Sequence, residues 1–462
     1  MSKIVNDAVH GPIDLPEWAR SIIDSPPFQR LRRVRQLSFM HYVFPSAEHS
    51  RFAHSLGTMH LAGKMCRHLR LDDNQSREVM AAALLHDVGH LPFSHVIESA
   101  YRIVEAHRGR QPYEDRHPAR KPQAEDALSH YCTPTQGSIH EDIGETIIDR
   151  YYRETLEQFG ICADNVINIM KGNTDEQEDL VSHMIVHSAV DVDRLDYLVR
   201  DASGLGANYG LLDIDYIVRQ LTRGRWKDHD VIGVRDGKEG VVDNLLLSRF
   251  FHYGQLVKNH TVVGFELAAK VLLARMIERE HDALPQFEDA LYDGASTYFG
   301  SIAAFDYADD YGVMHEWQHI VAEAGDELNT ALAKTLLARR RLTRLFEATW
   351  TAPGGTPREY KELTQATEQI KEIVRAEGLR KELVGWVQDE IEVEPVPEQI
   401  KDEPTKVAFV VKNGVATPAQ ESQSSVLALL KGTKKYVFRV YYLGDCEEHK
   451  PEIQRRITDL AQ

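Results

Sequence analysis

The sequence predicts a mainly helical protein carrying one small β-hairpin and a small α+β lobe at its C-terminal end. Two observations support that fold class. Over the first 350 residues apolar side chains recur at intervals of three and four and strand-like alternation is scarce, with Pro and Gly acting as punctuation. Beyond Pro397 the chain changes character. Val407-Ala-Phe-Val-Val411 and Tyr436-Val-Phe-Arg-Val-Tyr-Tyr442 are aromatic and β-branched, as strands are.

The elements follow in chain order. Pro26-Pro27 opens a helix carrying Phe28, Leu31, Val34 and Leu37, with Arg30, Arg32, Arg33 and Arg35 around it. Ser76 to His90 reads as a second helix, apolar through Met80–Leu85 and therefore buried before it reaches its polar end. Residues 107–123 hold three prolines, five Lys or Arg and few apolar groups, which marks a surface insertion within 106–135. Two β-branched runs between Val231 and Val242 flank Asp236-Gly237, a hairpin signal. A long helix is expected from Leu245 to about Glu278. Thr351–Pro357 reads as a loop between two charged helices, Glu392–Pro397 as an extended linker, and Ser424–Leu430 as a helix inside the terminal lobe. The resulting division is a helical core over 1–345, a charged helical extension over 346–395 and the α+β lobe over 396–462.

Composition bounds the function. With 54 Lys+Arg against 71 Asp+Glu, the formal charge of −17 argues against broad adhesion to nucleic acid or anionic membrane. The apolar run Val79–Leu85 is far short of a bilayer span. The N-terminal residues carry no apolar signal stretch, and Cys66, Cys132, Cys162 and Cys446 show no framework spacing, so a cytoplasmic protein with reduced thiols is expected. Histidine stands out: of 22 residues, eight fall between 41 and 95, where even scattering would place two or three. Such clustering points to metal, phosphate or proton chemistry.

Three separated segments supply metal-ligand types: His54, the pair His86-Asp87, and Asp193. Two imidazoles with two carboxylates suit manganese, iron, zinc or nickel better than calcium, which prefers oxygen alone. An isolated His-Asp pair would read as a helix-terminal carboxylate beside a core imidazole; here His90 follows one turn on and His95 stands three residues before Glu98. A carboxylate there favours the charged imidazole, as a general acid requires. Asp193, Tyr197 and Asp201 form one helix face too polar for ordinary packing, beside Arg194. Arg51, Arg194 and Arg249 are cations of the kind that clamps phosphate, and His140 opens a helix at its positive end.

Together these segments resemble the HD phosphohydrolase superfamily, and within it the deoxynucleoside triphosphate triphosphohydrolases typified by the vertebrate antiviral HD-domain enzyme and its bacterial relatives. The blocks that carry the resemblance are Ile4–Gly11, Phe28–Arg32, Tyr42–Pro45, His49–Gly57, Leu91–His95 and Asp191–Asp201, and it runs closely over 3–105 and 136–278. It implies an HD-domain helical core and hydrolysis of a dNTP to deoxynucleoside and triphosphate. By the same resemblance the metal falls to His54, His86, Asp87 and Asp193, with magnesium on the triphosphate, and the general acid to His95 with Glu98 behind it. Arg51, His90, His140, Arg194 and Arg249 match triphosphate contacts, while Gln36, Tyr197 and Asp201 match sugar contacts. Lys3, Asn6, Asp24, Gln29 and Arg32 match residues that bind an activating GTP or dNTP between subunits, which implies a homo-oligomer, dimer or tetramer. Val257-Lys258 stands where the vertebrate enzyme has a Tyr-Gln pair against sugar and base. The competing readings are an HD-type nuclease or phosphodiesterase acting on single strands, and a non-catalytic nucleotide sensor.

Overall fold

The computed structural model describes residues 3–108, 128–132, 139–172, 180–209, 211–278, 308–393 and 403–461. The chain opens with an antiparallel hairpin, β1 (Lys3–Asp7) and β2 (Gly11–Leu15), and short helices α1 (Glu17–Ile23) and α2 (Pro26–Arg30). The helical body follows: α3 (Arg51–Leu69), α4 (Asp73–Leu85), α5 (His95–Arg108), α6 (His140–Ile147), α7 (Arg153–Gln158), α8 (Ala163–Lys171), α9 (Leu180–Val186) and α10 (Val192–Leu205). Next come α11 (Ile214–Gln220), β3 (Leu221–Trp226), β4 (His229–Arg235), α12 (Glu239–Phe251), α13 (His260–Glu278), α14 (Asp310–Glu323) and α15 (Glu327–Leu337). The C-terminal part comprises β5 (Thr343–Pro353), α16 (Arg358–Gln365), α17 (Thr367–Ala376), β6 (Val384–Glu392), β7 (Phe409–Lys412), β8 (Val415–Pro418), β9 (Thr433–Tyr442) and α18 (Lys450–Leu460). Helix dominates, as expected. No helix among the described residues is long and apolar enough to cross a membrane.

The core explains why the polar ends matter. α3 is buried on nearly every face and packs along α4, whose N-terminus is capped by the Asp72 carboxylate accepting from the N–H groups of Asn74 and Gln75. Val79 and Ala81–Leu85 are fully buried, so α4 delivers its last turn, and His86 after it, into the interior. α10 is capped by Asp191, which accepts from the N–H of Arg194 and so presents Asp193 in the first turn. Gly206 ends it in the left-handed region, where glycine carries no Cβ penalty.

Several expected elements differ. The helix from Pro26 stops at Arg30 and tightens into a 3₁₀ turn to Arg33; Val34 is extended because its carbonyl accepts from Arg51 N–H, 3.0 Å away, drawing the chain off the helix axis. α4 ends at Leu85, not His90. The hairpin lies one strand earlier, with β3 and β4 turning at Lys227-Asp228, while Asp236-Gly237 leads into α12. The long helix is interrupted by a π-helical turn, His252–Val257. The stretch 346–395, expected to be helical, carries strand at both ends, and 424–430 forms only a 3₁₀ turn at Val426–Ala428. Strand pairing also crosses the boundary drawn near 395: β7 and β8 close a four-stranded barrel with β3 and β4, and β9 is the middle strand between β5 and β6. Most of the insertion expected at 106–135 lies outside the described residues. Of it, Leu128, Ser129, Tyr131 and Cys132 are buried, and Trp386 N–H of β6 donates to Cys132 Sγ at 3.2 Å.

A candidate metal centre and its cleft

α3, the turn after α4, and the first turn of α10 converge on one point. His54 Nε2 lies 3.0 Å from Asp193 Oδ1 and 3.7 Å from Asp87 Oδ2. His86 Nε2 lies 3.4 Å from Asp87 Oδ1 and 3.8 Å from Asp193 Oδ1. Both imidazoles are oriented from behind: His54 Nδ1–H donates to Asp196 Oδ2 at 2.7 Å, and His86 Nδ1–H to the Ala83 carbonyl at 2.8 Å. Each Nε2 is thereby aimed at the gap, buried and without a hydrogen-bond partner. Nitrogen and oxygen atoms 3 to 4 Å apart around a common point are what bonds of about 2.0–2.2 Å to one ion require. Hence His54, His86 and Asp193, with Asp87 beside them, are able to hold a divalent metal. The electrostatics agree. Burial opposes charge on His54, yet Asp193, Asp196 and Asp87 outweigh it and raise its pKa to about 10, so the site favours a cation at Nε2.

Behind the centre runs a buried ionic chain that sequence reasoning did not single out. Asp196 accepts from His10 Nε2 at 2.6 Å and from Arg200 at 2.8 and 3.0 Å, and Arg200 also binds both oxygens of Asp7 at 2.9 and 3.2 Å. A Cβ on Gly57 would come 1.9 Å from Asp196 Oδ1, so only glycine lets α3 approach α10 this closely. The spacing of Asp191, Asp193 and Asp196 was visible in the sequence, but the role of the third depended on where α3 packs.

A second group adjoins the first. Glu98 accepts from His140 Nδ1 at 2.8 Å and lies 3.3 Å from His95 Nδ1 and 3.4 Å from His90 Nδ1. His90 Nε2 reaches Asp87 Oδ1 at 3.2 Å, and its ring stacks on His140 with centroids 3.6 Å apart. Burial would raise the Glu98 carboxyl, but the three imidazoles hold it well below the usual carboxylate range. Burial, with Arg51 and His140 nearby, pulls His90 down to about 3, so it is neutral at pH 7. Phe93 and Ser94, both with φ near +55°, turn the chain sharply into α5 and place His95 at its start. That strained pair is held by Asp310, which accepts from Phe93 N–H at 2.9 Å, and by the Phe93 ring stacking on Trp317.

Both groups open on one cleft of about 610 Å³. Gln36, Arg51, His86, Asp87, His90, His95, His140, Asp193, Tyr197 and Asp201 line it. His54 and Glu98 stand just behind. Arg51 is buried, donating to Asp87 and, at 2.8 Å, to Ser94 Oγ. Asp201 is gripped between His49 Nε2 at 2.7 Å and His252 Nε2 at 2.9 Å, the latter offered by the π turn. Arg194 and Arg249 are not among the lining residues: Arg194 Nε faces Asp191 at 3.8 Å, and Arg249 bonds to Tyr197 and lies over the Tyr253 ring. His187 is a lining residue the sequence did not signal, its ring 6.3 Å from His86; burial first, then His86, pulls its pKa down to about 3. Lys3, Asp24, Gln29 and Arg32 gather on the surface around α1 and α2, with Lys3 Nζ 3.9 Å from Asp24 and Arg32 Nε donating to Gln29 at 2.8 Å. Asn6 is exposed on β1.

Residues 51–201, which hold this His/Asp group in a helical body, match the family model described as HD domain. The chain is 27% identical to the uncharacterized protein YwfO of Bacillus subtilis over 99% of its own length and 96% of that relative's. It is 32% identical to the deoxynucleoside triphosphate triphosphohydrolase SAMHD1 homolog of Dictyostelium discoideum over 44% of this chain and 37% of that one. It spans about half the length, 47%, of an uncharacterized relative from Methanocaldococcus jannaschii that is 31% identical over 56% of this chain. The fold is that of a solved phosphohydrolase structure from Bacteroides thetaiotaomicron, at a TM-score of 0.68 and 24% identity, covering 96% of this chain and 100% of the other.

Proposed function

We propose that this protein is a metal-dependent phosphohydrolase that converts a dNTP and water into a deoxynucleoside and inorganic triphosphate. The observation that carries the reading is a single cleft in which a metal-capable group, an imidazole–carboxylate group and a polar face of Gln36, Tyr197 and Asp201 lie side by side. His54, His86, Asp87 and Asp193 would hold a divalent ion, which would supply charge to activate water and neutralise phosphate. The chain's own groups do the rest. Arg51, His90 and His140 meet phosphate oxygens and stabilise the charge that develops on them. His95, whose Nδ1 faces Glu98 at 3.3 Å, gives its proton to the departing 5′-oxygen. Asp201, held by two imidazoles, offers a fixed acceptor for a sugar hydroxyl.

The surface group Lys3, Asn6, Asp24, Gln29 and Arg32 combines cations suited to phosphate with a carboxylate suited to a guanine edge, which supports a second, activating nucleotide site. GTP or a dNTP would bind there between subunits of a dimer or tetramer. The decisive test is to incubate metal-loaded protein with each dNTP, each NTP and single-stranded DNA and to separate the products. Deoxynucleoside with intact triphosphate is expected. Release of pyrophosphate or orthophosphate, cleavage of the DNA alone, or no product at all would overturn the reading.

A further inference from the structure

A pair of imidazoles outside the cleft has the geometry of a chelate. α14 carries the run His315-Glu316-Trp317-Gln318-His319, none of whose residues lines the cleft. Residues four apart lie one above the other on a helix face, and H-E-x-x-H is the order in which a helix presents two imidazoles to one zinc ion. Here the two rings turn toward each other. His315 Nε2 and His319 Nε2 are 3.1 Å apart, with ring centroids 4.5 Å apart and planes at 83°. Bonds of about 2.0–2.1 Å meeting at roughly 90–110° place two nitrogens on one ion about 2.8–3.4 Å apart, so the observed separation is the bite of a chelate. The same spacing also accommodates a single shared proton, one Nε2–H donating to the other lone pair. Both side chains are exposed, however, and neither makes another hydrogen bond or ion pair among the described residues. A hydrogen bond between two groups that water can serve equally well contributes little toward holding both rings in place.

The opposite face of α14 is fixed. Trp317 is fully buried, and its ring stacks on Phe93 and Phe39 with centroids 5.1 and 6.3 Å apart. Asp309 caps the helix by accepting from Gly312 N–H at 2.9 Å, and Asp310 accepts from Phe93 N–H. The frame that carries the imidazoles is therefore in place before any ion arrives, and binding has only two side chains to immobilise. We propose that His315 and His319 form a second divalent-metal site, of the zinc class, which clamps the outer face of α14. Imidazole ligands favour zinc over magnesium or calcium, and water completes the coordination at so exposed a position. Glu323, four residues beyond His319 and exposed, adds a carboxylate further along that face. A chelate across one helical turn exists only while that turn is helical, so the bound ion stabilises α14 and, through Trp317, the Phe93 turn that leads to His95.

The experiment is equilibrium dialysis of the whole protein against a micromolar zinc titration, with bound metal counted by atomic absorption and thermal unfolding followed on the same samples. The variants are His315→Gln and His319→Gln, which keep a polar helix former at an exposed position and leave the HD group intact in every chain, so its metal cancels in the comparison. Wild type is expected to hold one more equivalent of zinc than either variant, and zinc should raise its unfolding midpoint by more. Equal zinc counts in all three chains would reduce the pair to a surface hydrogen bond and overturn the site. Loss of the extra equivalent in only one variant would mean a single imidazole ligand and overturn the chelate. An extra equivalent in wild type with the same midpoint shift in all three would overturn the clamp on α14.

Discussion

His95 is the most accessible member of its cluster, with 70% of its side chain exposed, while its partner Glu98 is 4% exposed. A buried carboxylate behind an exposed imidazole is the arrangement of an acid whose proton must leave toward a substrate. His95→Asn should keep bound metal and slow turnover by roughly 10²–10⁴, the usual range for a positioned acid, as measured by product release beside metal content. A second expectation concerns Glu266. Its folded pKa of about 7 stands above the ordinary 4.5, so the folded state binds that proton more tightly than the unfolded chain. The contribution to stability is therefore full below about 4.5 and is lost as pH rises through 7. Glu266→Gln cannot ionise, so its stability relative to wild type should rise by about 1–3 kcal/mol between pH 5 and pH 8 in urea unfolding. A constant difference across that window would mean that the carboxyl titrates normally.

The N-terminal hairpin is joined to the candidate metal site through α10, by Asp7, Arg200, Asp196 and His54 in sequence. Arg200 grips two carboxylates at once with a planar fork that lysine cannot reproduce. Arg200→Lys should therefore weaken metal affinity by about 10–100-fold, the usual cost of losing a group that orients a ligand, and a metal titration with unfolding monitored separately checks it. Part of this was legible in advance. His86-Asp87 stood out because an apolar run, Met80–Leu85, ended abruptly in polar residues, and such an end points inward only when it serves a site. Asp196 and Arg200 were not legible, since an i, i+4 Asp–Arg pair is also what an ordinary solvated helix face shows. Only the packing of α3 against α10, permitted by Gly57, makes the pair a support for His54.

Across the molecule, Lys3, Asp24 and Arg32 lie exposed around α1 and α2, with Gln29 half-buried beside Arg32. If a nucleotide bridges subunits there, it favours the assembled form by mass action, since a ligand stabilises whatever state it binds. Asp24→Ala with Arg32→Ala should abolish acceleration of dNTP hydrolysis by added GTP or a second dNTP and leave metal content unchanged, with rate and light scattering followed in one titration. Equal rates and an unchanging mass in mutant and wild type alike would reduce these residues to surface structure. The local pattern of the chain was enough for the helical class, for the metal-capable residues and for the pairing of His95 with Glu98, because each depends on residue type and on spacing within one or two turns. The tertiary structure alone decided that β7, β8 and β9 complete sheets begun by earlier strands, that His187, His252 and Asp389 enter the cleft, and that Arg194 and Arg249 do not line it. Those outcomes depend on contacts between segments tens to hundreds of residues apart, and periodicity within a segment carries no information about which distant surface will cover it.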